Sequence, residues 1–492
     1  MKETMKRIIS LILVILLLAT VLVGCKKDKE ETPDETAATG SQTEEKFFPA
    51  IEKQDNGGKD FNIMYPMWSL YERYYFATES NGELINDANF ERQTEVNDYL
   101  GVNIVGLPVV AEGSKLAITV VSENLTKAAM SGDDPYQLAL THCFIGVASN
   151  IKSGNLIDFG SVKNIDLSQS YWRKSSMESL SIKGKMYVGS GKFLLYDPVI
   201  TLFNKDMLNN ADETFNADDL YQLVRDKKWT ISALKTYASA VSTDGNADKE
   251  EGKGTYGYVC QNNWEPLSFM AASNYFVVSR DAQSGKYVAN EFTQKVHDIF
   301  IDVKSLFDEK YTYHYPALSG GASEYTSSNM MRDGQAMFAN MGLMVAIQAI
   351  SNSDAKIGIL PVPSRDEGQD TQTLDWGGFM VIPISVVDPD LSGAVSELLC
   401  YYGGELLYPA FYDKLLGTRT AENWADAEML DIIFASMVSD PALAFNETSN
   451  DLYQLFYMFP TLISKNSTDV SSFMKTWTKG ATKQLEKMTT AK

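Results

Sequence analysis

The residues able to do chemistry are plentiful but poorly arranged for catalysis. Three histidines, His142, His297 and His314, stand far apart, with no HExxH pair to hold a catalytic zinc. Four cysteines, Cys25, Cys143, Cys260 and Cys400, are as widely spread and contain no CxxC metal pair. "VGSGKF" at residues 188–193 imitates a phosphate loop. The earlier glycine is not at the required spacing, and Phe193 replaces the hydroxyl that would bind magnesium. There is no GxSxG elbow. "DGNAD" at Asp244 to Asp248 alternates oxygen groups as a calcium loop does. Lys249 occupies the glycine place and Thr255 the place of the closing glutamate, so a solvated loop is expected. With 64 acidic residues, any two carboxylates could be named a glycosidase pair. The chain is read as not an enzyme, with no metal and no cofactor.

The aromatic residues are more informative. The seven tryptophans are Trp68, Trp172, Trp229, Trp264, Trp376, Trp424 and Trp477. Trp229 sits before a helix start and Trp477 on an amphipathic face, so both read as packing. Trp68, Trp264 and Trp376 lie in or beside loops that follow strands or open helices. A sugar ring has apolar C–H faces and a rim of hydroxyls. It is held by flat rings to stack on and polar groups at the edge.

Of the 492 residues, those left after the start of the chain suffice for two or more lobes, and a net charge of −21 argues against a nucleic-acid partner. Lys2, Lys6 and Arg7 precede a short apolar run at residues 8–24, the layout of a secretory signal peptide. Residues 22–25 resemble a bacterial lipobox. Cys25 is then the lipidation site, by palmitate or a similar acyl chain, and residues 25–57 form a tether. This places the folded part on the extracellular face of the cell membrane.

Alternating apolar positions and helix stops define the elements. "KDFNIMYP", "VNIVGLPVV" and "YQLALTHCF" read as strands. The helices between them end at Gly101 and Gly132, and Asp87 is a candidate cap for the first. This alternation marks an open, mostly parallel α/β sheet. The middle repeats the grammar with "DPVITLFNK", "AMFANMG", "AKIGILPVP" and "WGGFMVIPIS" as strands. A helix there has Val296, Ile299, Phe300, Val303, Leu306 and Phe307 on one face. The last helix places Phe473, Trp477, Ala481, Leu485 and Met488 on one face. Ligands in such sheets bind beyond the carboxyl ends of the strands.

Several segments in order resemble the extracellular solute-binding lipoproteins, carbohydrate type, of bacterial ATP-binding-cassette importers. They are the lipobox, "AMSGDDPYQLAL", "IKGKMYVGSGKFLLYDPVITLFNKDML", "KKWTISAL" with "GTYGYV", "MRDGQAMFANMG", and "KIGILPVPSRDEGQ" followed by "WGGFMVIPIS". The resemblance implies a two-lobed α/β, periplasmic-binding-protein type II fold with a hinge and an inter-lobe ligand cleft. It implies lobe 1 at residues 58–195 with a return at 372–430, lobe 2 at 196–371, and C-terminal helices at 431–492 packing on lobe 2 and the hinge. Residues 194–198 form the first crossing. By motif position it implies ligand contacts from Trp68, Thr141, His142, Tyr196, Asp197, Trp264, Asn340 and Trp376. The partners it implies are a carbohydrate or oligosaccharide, the permease subunits, and the membrane through the lipid anchor. A surface-anchored glycoside hydrolase, and a sensory or adhesive surface protein of the same fold, are the alternatives.

Overall fold

A computed structural model describes residues 47–67, 75–241, 254–281, 283–315, 326–417 and 424–490. The segment expected to be a signal peptide, Cys25, Trp68 and the Asp244 to Asp248 loop lie outside the described residues. Among the described residues, no helix is long and apolar enough to cross a membrane.

Two sheets organise the chain. The first runs in the order Gly378–Val381, Leu138–His142, Lys59–Pro66, Val102–Val109. Its three early strands are parallel, and the late strand lies antiparallel on Leu138–His142. Leu138, Ala139, Leu140 and Thr141 are all buried. An unbroken buried run is what a central strand covered on both faces requires. The first helix, Leu84–Leu100, is capped by Glu83, whose carboxylate accepts the Asn86 N–H at 2.8 Å. Asp87, the expected cap, instead accepts the N–H groups of Asn81 and Gly82 from inside the first turn. Gly101 ends this helix at φ 61°, and a Cβ there would meet the Asn56 nitrogen at 2.6 Å.

The second sheet runs Ile357–Pro361, Val199–Asn204, Ala336–Gly342, Tyr256–Gln261, Thr312–Tyr315. Four of its five strands run in one direction, as expected of a mostly parallel sheet, and one departs. Val199–Asn204 enters from the crossing in the opposite sense and pairs antiparallel with both neighbours. The other four strands, Ile357–Pro361 included, run in one direction, so their carboxyl ends share one edge. Helix Gln294–Phe307 covers this sheet with all six expected apolar residues buried. In the last helix, Val470–Thr490, the line of Val470, Met474, Ala481, Leu485 and Met488 is buried. Phe473 and Trp477 are half-buried at its margin.

Three segments, distant in sequence, run side by side between the sheets. The Trp376 N–H donates to the Asp197 carbonyl at 3.0 Å, and the Asp375 N–H to the Val438 carbonyl at 3.0 Å. Thr373–Leu374 pairs with Met437–Val438. Arg173 pairs with the Asp375 carboxylate, and its guanidinium lies 4.8 Å from the centre of the Tyr196 ring. Helix Trp424–Ala435 packs on Ile357–Pro361 of the second sheet, although the sequence reading carries lobe 1 to residue 430. Asp426 fixes it there by accepting from Lys205 Nζ and the Ile359 N–H at 2.8 and 2.9 Å.

Candidate functional site

Gln261, Tyr315 and Gly342 end three adjacent parallel strands of the second sheet. The two crossing segments that carry Asp197 and Trp376 pass beside that edge. A pocket of about 260 Å³ opens between them. Its wall includes Asp197, Gln261, Trp264, Glu265, Tyr315, Thr326, Ser327, Ser328, Met341 and Trp376.

The two tryptophans of the wall belong to a ring cluster drawn from four regions of the chain. Trp264 precedes helix Glu265–Ala272, whose second residue, Pro266, suits the first turn. Its ring centre is 4.6 Å from that of Trp376, with the planes inclined at 68°. Phe144, from the loop after Leu138–His142, meets Trp264 edge-on at 5.3 Å, and Tyr457 does so at 5.2 Å. Each ring fixes the next, while Trp264 and Trp376 remain half-buried.

Polar groups line the other side. The Tyr315 hydroxyl accepts the Ser327 N–H at 3.0 Å and donates to Ser327 Oγ at 3.1 Å, which anchors residues 326–328 over the strand ends. The Asp197 carboxylate accepts the Met344 N–H at 2.8 Å, at the start of helix Leu343–Ser351. A Cβ on residue 342 would lie 2.8 Å from that oxygen, so a glycine is required there. No lysine, arginine or histidine lines the pocket among the described residues. Stacking surface with oxygen-rich edges and no cation suits an uncharged polyhydroxyl ligand better than an anion.

The structure brings Asp197, Trp264 and Trp376 together on this wall and places Thr141, His142, Tyr196 and Asn340 elsewhere, while Trp68 lies outside the described residues. His142 stands behind Trp376, edge-on at 6.3 Å, and its Nδ1 accepts the Phe144 N–H. Burial holds its pKa down at about 4 against the opposing pull of Asp375, so the ring is neutral near pH 7. Thr141 is buried in the first sheet, its hydroxyl donating to the Phe379 carbonyl. Tyr196 is buried between Arg173 and Tyr408. Asn340 is buried in the second sheet, where its Oδ1 accepts from Thr201 at 2.8 Å. Gln261, Glu265, Tyr315 and residues 326–328 escaped the sequence reading. A signal existed only for the first and third, each being the last residue of a strand.

No family model matches the sequence, and no curated protein is detectably similar to it. Solved structures are similar. The GacH receptor of Streptomyces glaucescens, studied unliganded and with acarbose, matches with a TM-score of 0.55 at 15% identity, over 87% of this chain and 99% of that one. A solute-binding protein from Thermotoga lettingae, bound with α-D-tagatose, gives 0.57 at 15%, over 87% and 100%. UgpB of Mycobacterium tuberculosis, in complex with glycerophosphocholine, gives 0.55 at 13%, over 87% and 98%. The chain has the two-lobed α/β fold of these transporter solute-binding proteins.

Proposed function

We propose that the protein is an extracellular receptor that captures a sugar or oligosaccharide and hands it to an ATP-binding-cassette permease. The observation that carries this reading is the pocket at the strand ends beside the crossing segments, walled by Trp264, Trp376 and Tyr315. Its place matches where α/β sheets take ligands, and its wall pairs apolar ring faces with hydroxyl and carboxyl edges. Similar structures that hold acarbose and tagatose support the ligand class. In this reading Asp197, Trp264 and Trp376 contact the ligand, and Thr141, His142, Tyr196 and Asn340 hold the parts that do. Acylation at Cys25 keeps the receptor at the membrane.

The test is the melting temperature of the soluble chain against neutral oligosaccharides, with peptides and amino acids as controls. A ligand of the folded state raises it according to concentration over Kd. One sugar class that raises it and is recovered intact supports a receptor. Recovery of cleaved sugar would instead make the protein a hydrolase. Trp376→Ala is expected to weaken binding about tenfold or more, measured by calorimetry, through loss of ring contact. The backbone bond to Asp197 survives that change, so the unliganded melting point stays close to that of the parent.

A further inference from the structure

Glu265 is the unexplained group in the pocket wall. It opens helix Glu265–Ala272 directly after Trp264, is 8% exposed, and its Oε2 is buried without a hydrogen-bond partner among the described residues. A carboxyl oxygen left in this condition is costly unless something else supplies the missing bond. Among the described residues, the titratable groups that face it are Tyr258, Cys260 and Tyr315 from the neighbouring strands, none of them a cation. Across the pocket stands Asp197, another acid, already committed to the Met344 N–H.

We infer that Glu265 meets the ligand as an uncharged carboxylic acid, and so makes the pocket selective for a neutral polyhydroxyl ligand over cationic or anionic analogues with the same ring. The inference rests on the sugar-capture reading and names the residue that sets its charge selectivity. An acid proton and a carbonyl oxygen offer a sugar one donor and one acceptor, the combination a hydroxyl requires. Burial pushes this carboxyl well above the usual carboxylate range, against weaker opposition from the backbone N–H groups of residues 265 and 261. While this acid keeps its proton it gives an ammonium ligand no counter-charge, and the Asp197 carboxylate opposite is held by the Met344 N–H. An anionic ligand finds no cation among the described residues of the wall and a second acid opposite.

The experiment uses Glu265→Gln and Glu265→Ala in the soluble chain. Melting shift and calorimetry are measured with maltotriose, cellotriose, xylotriose and mannitol. Glucose, glucosamine and glucuronate are compared as a neutral, cationic and anionic set. The amide of glutamine reproduces a neutral acid's donor and acceptor. Glu265→Gln is therefore expected to bind the best neutral probe within about threefold of the parent, and Glu265→Ala about tenfold or more weakly. Because glutamine is isosteric, it keeps the comparison readable if the alanine variant folds poorly. A tenfold loss in Glu265→Gln would show an ionised carboxylate and overturn the inference. Unchanged binding in a folded Glu265→Ala would remove the residue from the ligand, leaving sugar capture intact. Tighter binding of glucosamine than of glucose would also overturn it. A parent protein that no sugar stabilises would defeat sugar capture and this inference together.

Discussion

Two glutamates, one beside each sheet, are buried almost equally and used in opposite ways. Glu397, on helix Pro389–Tyr402, is 1% exposed and accepts three bonds: from the Tyr171 hydroxyl, from Trp172 Nε1 at 2.7 Å, and from the Asp166 N–H at 3.1 Å. Those donors belong to the long excursion between the first sheet and the crossing, and Glu397 clamps it to the helix. Burial raises its pKa while Tyr171 and Trp172 oppose the rise. Glu265 is similarly buried and also raised, yet one of its oxygens has no donor among the described residues. Burial and a raised pKa therefore do not separate a structural acid from a binding one. Unspent hydrogen-bonding capacity does.

The comparison breaks most visibly at the saturated acid. Glu397→Ala leaves three donors without their acceptor, two of them on buried side chains, and is expected to cost about 3 to 5 kcal/mol in denaturant unfolding. A loss below about 1 kcal/mol would mean that water replaces the carboxylate and that the clamp is not structural. Asp375→Asn strands Arg173, which is largely buried against Tyr196. About 3 kcal/mol should disappear from the unfolding free energy, with affinity for the proposed ligand lowered only through the crossing segment.

The smallest effect at neutral pH comes from Asp440, which caps helix Pro441–Phe445 through the Ala442 N–H. Burial raises its pKa from 3.8 to about 7, opposed by the backbone N–H groups of Ala442 and Leu443. The folded chain then holds a proton that the unfolded chain releases. The stability this contributes is complete below pH 3.8 and lost as pH rises to about 7. Asp440→Asn keeps the cap and should remove that slope, seen as a flatter profile of melting temperature against pH. An unchanged profile would show that Asp440 is ionised in the fold across this range.

Period-two alternation and glycine stops made the strands and the first helices legible, because those signals are local. The reversed Val199–Asn204 strand was not, since its direction is decided by how the chain crosses between the sheets. The same limit governed the candidate site. Trp264 and Trp376 stood out as rings at element ends. Asn340 and Tyr196 carry equally polar side chains, but Asn340 is matched with Thr201 across 139 residues and Tyr196 with Arg173 across the crossing. Glu265 was hidden among 64 acids, and only the missing partner in three dimensions separates it from the rest.

The first sheet also has a consequence for how the molecule is made. Thr141 bonds to the Phe379 carbonyl, 238 residues later in the chain. A ribosome or export channel that releases the polypeptide from its amino end delivers three strands of that sheet long before the fourth. Until Gly378–Val381 emerges, the Leu138–His142 edge is an open template for pairing with other chains. The nascent first lobe therefore waits for its own closing strand, and a pause or truncation before residue 378 would leave it prone to aggregation rather than half-folded and harmless.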